Sequence, residues 1–162
     1  MPMAQITPSL VATIAEYFRL GLTVGLLTPE AAQAWALSLV ERMDEPPGEV
    51  IEVGWSKGLH ATLEALAGIP GERDTHLAGG WLIGQIRAAR PFTYEHLCWA
   101  STMALRVFEL VELDDDLHHG LRRADAMLGS SPFGMYPVPE CRQVLYEVLD
   151  AFPWTPDLTA GP

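Results

Sequence analysis

Thr93-Tyr94-Glu95-His96-Leu97-Cys98-Trp99-Ala100-Ser101-Thr102-Met103-Ala104-Leu105-Arg106-Val107-Phe108-Glu109-Leu110-Val111 is the most apolar segment of the chain, and its reading decides the fold. Thr93 offers a hydroxyl that can accept one of the orphan N–H groups at a helix start. From there Leu97, Cys98, Trp99, Met103, Leu105, Val107, Phe108, Leu110 and Val111 occupy nearly every side of a helix. A helix apolar on most sides belongs inside a core, so this one is expected at the centre of a helical bundle.

The flanking sequence repeats the helical theme. Thr7-Pro8 and Thr28-Pro29 each set a capping hydroxyl before a proline whose missing N–H costs nothing at the first helical position. Leu10, Val11, Ile14, Phe18 and Leu22 follow the first, and Ala31, Trp35, Leu39 and Met43 the second, each spaced for one helical face. Gly21 and Gly25 help end the first helix, and Pro46-Pro47-Gly48 stops the next. Ser56 is expected to cap a helix bearing Leu59, Leu63 and Leu66. Another should begin near Asp74 or Thr75 and carry Trp81, Leu82 and Ile86. Gly79, Gly80 and Gly84 weaken that helix by up to about 1 kcal/mol each, which points to another element approaching its backbone closely. Asp114-Asp115-Asp116 opens a helix with Leu117, Leu121, Ala124 and Leu128, and a last helix spans about 140–151 with Cys141, Val144, Leu145 and Val148.

Residues 49–54, Glu-Val-Ile-Glu-Val-Gly, are the one strand-like stretch. A single strand builds no sheet, so an extended connector is expected there. The whole is an all-α, single-domain bundle of about six or seven short helices, with one short extended segment near 49–54. Residues 1–152 form the helical domain, and 153–162 a proline-rich tail that packs loosely around Trp154.

Composition narrows the function. Twenty-one Asp and Glu oppose ten Lys and Arg, for a net charge of −11. Phosphate polymers and anionic membranes are held by clustered cations, so neither nucleic acid nor membrane is expected as the partner. A chain this long buries roughly 70% of its unfolded surface and needs no metal or disulfide to hold a core. No stretch is long and apolar enough to cross a bilayer. Residues 1–8 hold no basic region and no continuous apolar run, so no secretory signal and a cytoplasmic location are expected. Cys98 and Cys141 then read as free thiols. Nine of the ten cations are Arg, and with abundant Ala, Gly and Pro this is the composition of a GC-rich bacterial genome.

Gly54-Trp55-Ser56-Lys57-Gly58 matches G-x-S-x-G between a strand-like run and a helix. Over about ten residues it resembles the nucleophile elbow of the α/β-hydrolases, which implies Ser56 as nucleophile of a small hydrolase. The rest of the chain departs from that family: it offers no further strands and no His-Gly-Gly run, and Asp116, His118 and His119 crowd one helical turn. Without the family, Ser56 is a helix cap.

Asp114, Asp115, Asp116, His118 and His119 are the densest group of ligand-type side chains. Asp115 and His119, four apart, share a helix face and suit Zn²⁺, Mn²⁺ or Fe²⁺, but a site needs three or four ligands and no second motif supplies them. Three acids in a first turn also stabilise the helix dipole, each by roughly 0.3–1 kcal/mol. No cofactor motif is present. Gly79 and Gly80, near Trp81 and Trp99, mark where a small-molecule pocket would sit in a binding bundle.

The leading expectation is an acidic helical protein that acts by binding a basic protein partner, as an inhibitor, immunity protein or adaptor does. Its candidate contact residues are Glu41, Asp44, Glu45, Glu49 and Glu52 around the Pro46-Pro47 turn, Asp114, Asp115 and Asp116, and Trp55 as an aromatic anchor.

Overall fold

The computed structural model describes residues 7–158. The fold is all-α. Helices α1 (Pro8–Val24), α2 (Pro29–Arg42), α3 (Gly48–Trp55), α4 (Gly58–Gly68), α5 (Thr75–Ala88), α6 (Tyr94–Leu110), α7 (Asp115–Ser130) and α8 (Val138–Leu149) are joined by short connections, with a single 3₁₀ turn at Ser131–Phe133. No strand occurs among the described residues. The helix beyond the expected number is α3, which occupies the stretch expected to be extended. Val50 and Val53 explain the difference. Three residues apart, they share one face of a helix, and both are fully buried, whereas a strand would point them to opposite sides. Burial on one face overrides the strand preference of the β-branched residues.

The described residues divide into two compact units, 7–78 with 156–158, and Gly79–Thr155. In the first, Thr7 caps α1 by accepting the Leu10 N–H at 3.1 Å, and Thr28 caps α2 by accepting that of Ala31 at 3.2 Å. Gly25, at φ 83°, closes α1 in the left-handed conformation, and the Leu26 N–H returns to Gly21 O at 2.8 Å. Phe18 stacks on Trp35 with ring centroids 5.4 Å apart. These rings, with Val50, Val53 and Leu66, form the core of this unit.

A charged network lies inside the same unit. Glu16 is only 4% exposed. It accepts hydrogen bonds from Arg19 Nε at 2.9 Å and Arg73 Nη1 at 2.7 Å, and Arg19 Nη2 also reaches it. Arg73 Nη2 donates to the carbonyls of Leu66 (2.6 Å) and Ile69 (3.0 Å), closing the end of α4.

The second unit is built on α6, α7 and α8 with most of α5. Thr93 caps α6 through the His96 N–H, and Asp114 caps α7 through that of Leu117. Helix α6 is less enclosed than expected: Leu97, Ala100, Ala104, Val107 and Phe108 are buried, while Trp99 and Leu110 reach solvent. The α5 glycines do sit under close neighbours. A Cβ on Gly79 would lie 3.1 Å from Val111, one on Gly80 3.3 Å from Phe152, and one on Gly84 1.8 Å from the carbonyl oxygen of Trp154. The space beside Gly79 and Gly80 is therefore filled by side chains. Phe152 is buried and the Trp154 ring is exposed, so Phe152 is the aromatic that holds this end of the chain.

Candidate functional site

Helices α2 and α3 meet at Gly54, where an added Cβ would fall 2.7 Å from Leu37 Cδ2. The missing side chain lets the two helices close with Leu37 against Gly54, the residue before Trp55. Trp55 is 75% exposed, the most solvent-accessible of the five tryptophans. Ile51, one turn earlier on the same face, Leu37 and Leu59 are exposed as well. Of these four exposed apolar side chains, sequence reading reached only Trp55. Leu37 was detectable, since it falls off the Trp35 and Leu39 face of α2.

Carboxylates flank these residues along the chain. Glu41 lies one turn beyond Leu37 on α2, and Glu52 lies three residues before Trp55 on α3. Asp44 and Glu45 occupy the loop between the helices, and Glu49 stands in the first turn of α3, where it complements the helix dipole. Glu41, Asp44, Glu45 and Glu52 are exposed and Glu49 is half-buried. None of the five is ion-paired with a described cation. Between residues 41 and 57 the only positive charges are Arg42 and Lys57. Arg42 turns back to donate to Ser38 O and Leu158 O.

Ser56 does not cap α4. It is the residue that ends α3, and Lys57 precedes α4 without a side-chain cap. Its Oγ donates to Val53 O at 2.6 Å and lies 2.8 Å from Thr62 Oγ1, which itself donates to Gly58 O. Neither partner is a base that can take the hydroxyl proton. Helix, not strand, precedes the motif, so the strand-to-helix turn of a nucleophile elbow does not form. The two glycines have separate local duties: Gly54 admits Leu37, and Gly58 turns the chain at φ 84°.

The other acidic group lies in the second unit. Asp114 Oδ1 is committed to the α7 cap, while Asp115 and Asp116 are exposed in the first turn. His119 is exposed. His118 packs against the Phe108 ring, with centroids 5.3 Å apart and its Nε2 buried without a hydrogen-bond partner. Among the described residues, no three or more His, Cys, Asp or Glu side chains are grouped to hold a metal ion.

Comparisons with protein-family models, curated proteins and solved structures find no match to this chain. No described helix is long and apolar enough to cross a membrane.

Proposed function

We propose that this chain acts by binding a basic protein partner, as an inhibitor, immunity protein or adaptor, through the α2–α3 surface around Trp55. One observation carries the reading: a tryptophan 75% exposed ends a stretch, residues 41–55, whose carboxylates pair with no described cation. An exposed indole with aliphatic neighbours is the chemistry of an interface anchor, and unpaired carboxylates around it supply attraction and register for Lys and Arg. The Ser56 hydroxyl, bonded to a carbonyl and a second hydroxyl, favours binding over nucleophilic chemistry at the neighbouring motif.

The test is affinity capture from the source cell's lysate, with the wild-type chain and Trp55→Ala as baits. A basic protein should be retained at low salt, be released at about 0.5 M salt where exposed charge pairs are screened, and be absent from the Trp55→Ala bait. Equal retention of the same protein by both baits would move the binding surface elsewhere. A chain that captures nothing at either salt would not be the binding protein described.

A further inference from the structure

Within the first unit a cleft of about 240 Å³ opens between the end of α2, the start of α1 and the loop after α4. Thr7, whose hydroxyl is committed to the α1 cap, lines it with Pro8, Val11, Met43, Pro47, Ile69 and Pro70. These walls offer no charged group, so the space suits an apolar occupant. Its size limits that occupant further. Pockets that take a whole small molecule run on the order of 300–1,000 Å³, so this one matches an apolar side chain or two better than a ligand or cofactor.

The surroundings of the cleft determine what carries that side chain. Asp44 and Glu45 are exposed between Met43 and Pro47, two of the lining residues, so chain connectivity places them on that lip. Glu49 follows two residues later. On the side of α1 and the loop after α4, Glu72 is exposed two residues beyond Pro70, and its carbonyl accepts from Ser9 Oγ at 3.2 Å, next to Pro8. The cations nearest in sequence are turned away: Arg73 is bonded to Glu16 and the end of α4, and Arg42 donates to Ser38 O and Leu158 O. The result is an apolar slot between two acidic lips.

From this geometry we infer that the cleft is the anchor slot for a linear basic segment of the partner. One aliphatic or aromatic side chain of that segment seats between Met43, Pro47, Val11 and Ile69. Lys or Arg on either side of it meet Asp44 and Glu45 on one lip and Glu72 on the other. Rigid, preformed pockets for a single anchor are where binding energy concentrates in peptide recognition. This inference rests on the reading of the chain as a binder of a basic partner, and adds where a segment of that partner docks.

A displayed library of random peptides, selected on the full chain, tests it. Enriched peptides should combine Lys or Arg with an aliphatic or aromatic residue. Their affinity should fall about tenfold or more when the slot is filled by Met43→Trp or Pro70→Trp, or when its lips are reversed by Glu45→Arg with Glu72→Arg. Glu45 and Glu72 are exposed and pair with no described cation, so that last variant should keep its fold whatever the tryptophans do, and circular dichroism checks all three. Basic peptides that bind the slot-filled and lip-reversed chains normally but fail on Trp55→Ala would overturn the inference and leave the function reading intact. Enrichment of uncharged apolar peptides would overturn it too, as would no enrichment from a chain that still captures its lysate partner. A concentration-dependent dimer abolished by Met43→Trp would make a second copy the occupant. Peptide binding seen only after removal of residues 1–6 would make those residues the occupant. Either result would end the proposal.

Discussion

At the scale of single residues, Trp55 and Ser56 are neighbours with opposite duties. Trp55 is mostly in water, so truncating it removes little packing: Trp55→Ala should change stability by no more than about 0.5 kcal/mol while weakening partner binding by about 2 kcal/mol or more. Thermal unfolding beside calorimetric titration with the captured partner separates the two effects. Ser56 faces inward, and its hydroxyl closes the end of α3 against Val53 O and Thr62. Ser56→Ala should therefore cost about 1 kcal/mol in urea unfolding and leave partner affinity unchanged. Gly84→Ala should be far worse tolerated than a surface change, by about 1–3 kcal/mol, because its methyl would collide with the Trp154 backbone, which cannot swing aside as a side-chain tip can. The sequence exposed the glycines of α5 as points of close approach. It did not reveal that Gly54 and Gly58 serve packing and turning, since G-x-S-x-G is satisfied equally by a catalytic turn and by two unrelated local needs.

At the scale of helices, clean caps made helix starts legible, and the one helix that sequence reading missed has none. Thr7, Thr28, Thr93 and Asp114 mark real helix starts because a capping hydroxyl or carboxylate before a periodic apolar run is a local signal. Helix α3 has no side-chain cap, and its Val and Ile residues favour strands locally, so only burial against α2 and α4 makes it helical. The Glu16–Arg19–Arg73 network was equally hidden, because Arg73 lies 57 residues from Glu16 in sequence. It ties α1 to the end of α4. Arg73→Ala should cost roughly 3 kcal/mol, the lower end for a broken buried pair, since Arg19 remains on Glu16. Burial pushes the Glu16 carboxyl up, but the hydrogen bonds from Arg19 and Arg73 outweigh it and hold the group below its ordinary 4.5. Above that value both folded and unfolded chains carry the ionised carboxylate, and the network contributes fully. As pH falls below 4.5 the unfolded chain takes up the proton first, and stability is lost until the depressed folded value is passed. Unfolding free energy measured against pH should thus fall below 4.5, and fall less steeply in Glu16→Gln.

At the scale of the whole molecule, the net charge of −11 was legible at once, but charge alone does not distinguish contact from steering. The described surfaces suggest how the two divide. Around Trp55 the carboxylates border exposed apolar side chains, so a partner that buries the indole also meets Glu41 and Glu52. Asp115 and Asp116 stand exposed at the start of α7, next to a cap rather than a tryptophan. Their contribution should be to the long-range field, which raises the encounter rate with a basic protein over distances of about a Debye length, near 10 Å at 0.1 M salt. Neutralising them as Asp115→Asn with Asp116→Asn should slow association a few-fold at low salt, leave dissociation unchanged, and have no effect at about 0.5 M salt. Trp55→Ala should do the reverse: dissociation accelerates at every salt concentration while association barely moves. Surface-plasmon kinetics of the captured partner across a salt series read both rates. If the two aspartates instead govern dissociation, they touch the partner directly and their role is contact and not steering.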